Sequence, residues 1–286
     1  MANLKEIRNR ITSVKSTMQI TSAMKMVSAA KLKKAQDAIT AMRPYANKLT
    51  ELLQSLSASL DGDAGSKFTD DRPVSKVLVV AITSNRGLCG AFNSNIIKQT
   101  HALIKETYSG QQVDVMAIGK KGNDILVKKG NVIANHSHIF DDLAFENVAN
   151  IAQDLMDYFT EGNYDKIELV YNKFKNAATQ IVMTEQFLPL VPVVGDTSGA
   201  ADYIFEPSKA DIVEQLIPKS LKTQLYKAMR DSFASEHGAR MTAMHKATDN
   251  ASELKDQLTL TYNKARQAAI TNEILEIVSG AEALNN

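Results

Sequence analysis

No glycine occurs before Gly62, and from Leu4 the apolar residues fall three and four apart. The series Leu4, Ile7, Ile11, Val14 and Met18 resumes, after a shift of phase, at Ala35, Ile39, Met42, Ala46, Leu49, Leu53, Leu56 and Leu60. Spacings of three and four held this long predict a coiled-coil seam, because core helices of globular domains rarely run past about 25 residues. Pro44 is the one breaker, and in so long a helix it predicts a kink and not an end. At about 1.5 Å per residue, the segment 4–59 spans roughly 80 Å.

The other end of the chain mirrors this pattern. Ala247, Ala251, Leu254, Leu258, Thr261, Ala265 and Ala268 form one seam, and Ile270, Ile274, Ile277, Ala281 and Leu284 continue it after another shift. Pro218 marks the expected helix start, since proline is tolerated in a first turn. A helix from there to Ala283 is roughly 100 Å long, so much of it should project from a domain of this size. The two terminal helices most simply pair antiparallel, with small seam residues keeping the pair slim.

Between them the pattern changes. A polar linker, "LDGDAGSKFTDDRPVS", is followed by strands at 76–83, 112–118, 166–172 and 179–187 and by helices at 93–108, 119–129 and 145–160. Alternating strand and helix predict a sheet with a parallel part, and "NKFKNAATQ" reads as a hairpin between the last two strands. The expected fold is therefore α/β plus long helices. It has an N-terminal coiled-coil helix over 1–60, a Rossmann-like α/β domain over 75–207 and a C-terminal coiled-coil helix over 208–286.

The charge is uneven. Up to Lys48 there are ten Lys and Arg against Glu6 and Asp37, while the whole chain carries only +1. The first helix is thus expected to meet something acidic. Cys89 is the only cysteine, which excludes an internal disulfide.

The stretch "VVAITSNRGLCGAFN" has the strand, glycine turn and helix start of a phosphate cradle. A Walker loop needs Lys-Ser/Thr after its second glycine, yet Ala91 stands there; a dinucleotide loop needs three glycines, yet only Gly87 and Gly90 are present. The loop reads as a tight turn with Asn93 as helix cap and Cys89 as a small buried hydrophobe. "HSH" at 136–138 has no supporting metal ligand at a fitting spacing and reads as a solvated loop. No catalytic, cofactor-binding or metal site is read from the residues. A nucleotide-dependent enzyme using Gly87–Gly90 and a nucleic-acid binder using the basic helix stand as alternatives. Against the second, no aromatic residue interleaves the charges before Tyr45.

At the chain ends the residues become specific. "IRNRITSVKSTMQITSAMKMVSAAKLKKAQ", "SEHGARMTAMHKATDNA", "ITNEILEIVSGAEAL" and "SNRGLCGAFN" together resemble the gamma subunit of the rotary, F-type ATP synthase, bacterial type, over essentially the whole chain. The resemblance implies a non-catalytic central shaft inside a hexamer of alternating alpha and beta subunits, three of each. The α/β domain would be its foot against the epsilon subunit and the membrane c-ring, at the cytoplasmic face of the bacterial inner membrane, with no cofactor, no nucleic acid and no membrane insertion.

By family position the resemblance implies beta-subunit contacts at Met24, Lys25, Lys31, Lys33, Lys34, Arg240, Arg266, Gln267 and Thr271. It implies ring and epsilon contacts at Tyr203, Phe205 and Glu206. Four positions depart from the family pattern: Gln19 in place of a lysine, Asn85 in place of an aspartate, His245 in place of an acid, and Gly238, which should loosen its helix by up to ~1 kcal/mol relative to alanine.

Overall fold

The computed structural model describes residues 4–57, 66–69, 72–190 and 209–284. Elements run in the order α1 (Leu4–Ser57), α2 (Ser66–Thr69), β1 (Lys76–Ile82), α3 (Phe92–Ala102) with a π-helical turn (Leu103–Thr107), β2 (Gln112–Ile118), α4 (Lys120–Leu126) and β3 (Asn131–Asn135). A 3-10 turn (Ser137–Phe140), α5 (Phe145–Thr160), β4 (Lys166–Phe174), β5 (Gln180–Leu188) and α6 (Lys209–Leu284) complete it. Contacts divide the chain into two compact units, Met1–Ser28 with Met241–Asn286, and Ala29–Arg240.

The expected phase shift in α1 is absent. The seam runs through positions 4, 7, 11, 14, 18, 21, 25, 28, 32, 35, 39, 42, 46 and 49, all buried or half-buried, an unbroken alternation of three and four, with half-buried 22, 24, 29 and 38 beside it. Thr21, Lys25 and Ser28 carry the seam through its middle, and polar side chains hid it from a reading of apolar residues alone. Pro44 lies within the helix. Leu60 lies outside the described residues, as do the side chains of Leu53 and Leu56.

The seam of α6 is also re-registered. Its seam runs through Met244, Thr248, Ala251, Lys255, Leu258, Tyr262 and Ala265, all buried or half-buried, with Ala247 and Ser252 half-buried beside it. Of the expected positions, Ala247, Ala251, Leu258 and Ala265 are covered. Leu254 is instead 46% exposed, because Lys255 and Tyr262 hold the alternate seam positions with their long aliphatic or aromatic bodies. Ile270, Ile274 and Ile277 are exposed, so no described part of the chain covers that continuation. Pro218 lies inside α6, which starts at Lys209, nine residues before the expected start.

In the first unit α1 and α6 meet at the hydroxyl of Thr248, which donates to Thr21 Oγ1 at 2.8 Å. In the second unit Lys31 lies in the field of Glu236, Arg43 in that of Asp231, and Lys219 Nζ stands 6.0 Å from the Tyr45 ring. Rising numbers on α1 meet falling numbers on α6, so the helices run antiparallel there.

The second unit also contains a five-stranded sheet of order β3-β2-β1-β4-β5, parallel except for β5, which pairs antiparallel with β4. Strands β1, β2 and β4 are buried on both faces, which is why they read as continuous Val/Ile/Leu runs. On one face α3 and α4 pack through Ile96, Ile97, Leu103 and Leu126. On the other, α5 packs through Val148, Leu155 and Phe159, and α6 through Leu221, Leu225 and Met229. Each fully buried leucine or phenylalanine contributes about 1.5–3 kcal/mol. The edge strand β3 was not expected. It is five residues long, and a bulge leaves exposed Ile133 without a partner on β2, although its side chains still alternate between exposed and half-buried.

Candidate functional site

The carboxyl end of β1 is where an open α/β sheet holds a ligand, at the point where the chain switches from building toward β2 to building toward β4. Here the chain's own α6 occupies that place. Arg240 Nη2 donates to the carbonyls of Arg86 at 3.0 Å and Gly87 at 3.2 Å, and its Nε reaches Gly87 O at 3.3 Å. Its Nη1 donates to Glu236 Oε1 at 2.7 Å, one helical turn back. Below it, Ser235 Oγ donates to the Asn172 carbonyl on β4, and Asn172 Nδ2 donates to Phe92 O at the start of α3. Cys89, Phe92 and Ala239 close the joint as a small apolar cluster.

Within the loop, Asn93 is not the helix cap that was expected. The residue before α3 is Ala91, and Asn93 Oδ1 instead accepts from the Ser84 backbone N–H at 2.9 Å, tying the turn to the strand end. Cys89 is 2% exposed, and burial pushes its thiol up against the opposing Ser84 hydrogen bond, so it behaves as a small hydrophobe and not as a nucleophile. The "HSH" run is partly ordered, with Ser137–Phe140 in a 3-10 turn and the Ser137 carbonyl accepting from Asn85 Nδ2 at 2.8 Å. Asn85 also accepts from the Lys120 backbone through its Oδ1, joining two loops at the same edge.

Gly238 has a reason beyond helix propensity. A Cβ there would stand 3.2 Å from both Cα and O of Ala177 in the β4–β5 turn, so α6 passes that turn backbone to backbone. Beside it His237 is 5% exposed and rests edge-on against Phe233, with ring centroids 4.5 Å apart and, among the described residues, no hydrogen-bond partner for either ring nitrogen. Burial, then Arg240 and Lys31, hold its pKa down at about 4. The unfolded chain binds a proton at about pH 6.5 and the folded chain does not, so stability falls as pH drops from about 6.5 to 4. Between pH 7 and 5 this histidine should remove about 2 kcal/mol. Burial raises Asp231 and Glu236, which act in the opposite sense. Urea melts of His237→Phe should therefore show a stability loss smaller than the parent's by about that amount, and an unchanged pH profile would refute the assignment.

The contact residues expected from the resemblance fall in distinct places. Met24 and Lys25 are half-buried on α1, while Lys31, Lys33 and Lys34 are exposed farther along it. Arg266, Gln267 and Thr271 are exposed on α6, with the Thr271 hydroxyl donating to the Gln267 carbonyl. Arg266 lies 18 residues beyond Thr248, the partner of Thr21, or roughly 27 Å along the helix. The structure thus separates the Met24 group from the Arg266 group. Arg240 is 6% exposed and committed to the loop. Tyr203, Phe205 and Glu206 lie outside the described residues.

Outside both expected seams stand the exposed apolar residues Ile20, Met26 and Val27 on α1, and Leu275 and Val278 beside the exposed isoleucines of α6. Their signal was available: they are apolar and lie off the seam. Exposed apolar stripes of this kind mark surfaces that meet a partner.

The family model described as "ATP synthase" matches residues 3–284. The chain is 76% identical over 285 residues to the ATP synthase gamma chain of Flavobacterium psychrophilum, covering 99% of each. The chain belongs to the ATP synthase gamma chain family. It is accordingly a non-catalytic, central-stalk type of subunit. Its fold matches a chain of the Euglena gracilis mitochondrial ATP synthase assembly of OSCP, F1 and c-ring, with a TM-score of 0.70 at 22% identity, covering 98% of this chain and 94% of that one. A chain from the central stalk and c-ring of the Tetrahymena thermophila mitochondrial ATP synthase matches at 26% identity and a TM-score of 0.59, covering 80% of this chain and 99% of that one. Among the described residues, no helix is long and apolar enough to cross a membrane.

Proposed function

We propose that this gamma-family chain is the rotor shaft that carries c-ring rotation to the catalytic beta subunits of a proton-driven ATP synthase. The supporting observation is the C-terminal part of α6, which stays helical to Leu284 while Ile270, Ile274, Leu275, Ile277 and Val278 stand exposed. A helix left apolar and uncovered by the described residues of its own chain suits a sleeve formed by other subunits, here the alpha and beta hexamer. In this reading Met24, Lys25, Lys31, Lys33 and Lys34 meet acidic beta-subunit segments, and Arg266, Gln267 and Thr271 form a second contact zone. Arg240 acts by holding the loop that seats α6. Tyr203, Phe205 and Glu206 meet the c-ring and epsilon subunit, and the assembly works at the cytoplasmic face of the bacterial inner membrane.

The α/β domain has its own core, so the shaft end can be removed without unfolding it. Deleting the residues after Ile277 should cut ATP-driven proton pumping in inverted membrane vesicles by more than half, with the yield of soluble chain little changed. Full pumping by the truncated chain would overturn the reading, as would failure of the intact chain to copurify with alpha and beta subunits.

A further inference from the structure

The tip of the glycine loop carries an exposed leucine in a backbone conformation that leucine rarely adopts. Leu88 has φ of 60°, and among the described residues it is the one non-glycine residue with positive φ. It is also 63% exposed. In the left-handed region the Cβ of a bulky residue crowds the backbone, whereas glycine or asparagine enters it readily. The core does not repay the strain, since the apolar cluster beneath the loop consists of Cys89, Phe92 and Ala239, without Leu88. A strained side chain that the core does not use points to a use outside the chain.

The loop is held on both sides of this residue. Arg240 donates to the carbonyls of Arg86 and Gly87, and the Ser84 hydroxyl donates to Arg86 O at 2.6 Å. On the other side Cys89 is 2% exposed. The leucine therefore stands fixed before any partner arrives, which lowers the ordering cost of binding.

Charge indicates the kind of partner. Arg86 is exposed two residues from Leu88, and no Asp or Glu occurs between Arg72 and Lys105. Burial raises the Glu236 carboxyl, while Arg240, then Lys31 and Arg86, oppose the rise. Glu236 is committed to Arg240 at 2.7 Å, so it does not neutralise Lys31 and Arg86, both of which are exposed. A second copy of this chain would set these cations against each other. A bilayer suits clustered lysines, whereas here one leucine accompanies an arginine, whose planar fork matches a carboxylate. The occupant that fits is a protein surface with an apolar pocket and a carboxylate rim.

We propose that Leu88, with Arg86 beside it, is a preset anchor for such a pocket on the beta subunits, extending the Lys31–Lys34 contact zone onto the loop after β1; this rests on the rotor reading above. The test compares full-length variants for binding to the assembled alpha–beta hexamer by surface plasmon resonance, alongside thermal melts. Leu88→Gly and Leu88→Asn both suit the left-handed backbone, so neither should melt appreciably below the parent. Both should bind the hexamer at least about tenfold more weakly, the share expected of one buried leucine. Arg86→Gln should weaken binding less and flatten its dependence on salt. Ile181→Asn, at another exposed apolar position, should bind as the parent does.

Unchanged hexamer affinity of Leu88→Gly and Leu88→Asn, with the parent binding, would overturn the proposal and leave the rotor reading standing. Lower melting temperatures for both would also overturn it, by showing that the leucine serves the fold. So would a dimer of the parent that Leu88→Asn dissolves, or a loss of affinity for the epsilon subunit alone; each would assign the anchor to that other partner. A parent chain that does not bind the hexamer would overturn both readings.

Discussion

Arg240→Ala should destabilise the protein by about 3–5 kcal/mol, the largest loss expected from truncating a single side chain of α6. The reason lies in what the substitution leaves behind. Glu236 is buried, and Arg240 is its direct ion-pair partner at 2.7 Å. Removing the guanidinium strands a carboxylate whose pKa burial already raises, and it takes the donor from the Arg86 and Gly87 carbonyls. Burying an unpaired charge costs more than the pair contributes, so the second substitution should recover part of the loss. Arg240→Ala combined with Glu236→Gln should be more stable than Arg240→Ala alone, and the double-mutant cycle measures the coupling. Urea unfolding of the four proteins gives the answer. A loss below about 1 kcal/mol for Arg240→Ala would mean that the joint is solvated and the loop is held by other groups.

The second large effect is at Gly119, between β2 and α4. Its φ of 116° belongs to the region that side chains rarely adopt, and a Cβ there would fall on the carbonyl of Thr83. Thr83 cannot retreat, because its N–H donates to Ile118 O at 2.7 Å and its buried hydroxyl accepts from the Gly122 N–H at 2.9 Å. Gly119→Ala should therefore cost about 3 kcal/mol or more, combining backbone strain with a backbone overlap. Gly110 is the control, since it also has positive φ, at 95°, but opens to empty space. Gly110→Ala pays the strain alone and should lose about 1 kcal/mol. Equal melting temperatures for the two variants would show that the Thr83 contact is not what Gly119 serves.

Much of the architecture could be read from spacing. The seam of α1 announced itself at Leu4 to Met18 and again from Ala35, and the doubly buried strands β1, β2 and β4 stood out as apolar runs. Where the reading failed, polar or long-range effects had intervened. Thr21, Lys25 and Ser28 keep the α1 seam in phase although none of them is apolar. Lys255 and Tyr262 displace Leu254 and Thr261 from the α6 seam for the same reason. Pro218 suggested a helix start, but a helix can carry proline in its interior when packing on both sides of it is strong enough; Ile217 and Leu221 are both buried in the core. The role of the glycine loop was the least legible. Its sequence shows a turn without nucleotide-binding side chains, but its partner, Arg240, lies 153 residues from Gly87. Only the folded chain brings them together.

The seating of α6 at the carboxyl end of β1 reaches beyond stability. In related sheet architectures that position is the port through which a domain senses its ligand. In this chain a helix plugs the port: Arg240 occupies the loop carbonyls, and Ser235 occupies the neighbouring strand end. A nucleotide could enter only by prising out an ion-paired helix. The plug makes a mechanical joint of what is a ligand port elsewhere, and the joint fixes the long helix to the sheet that carries it.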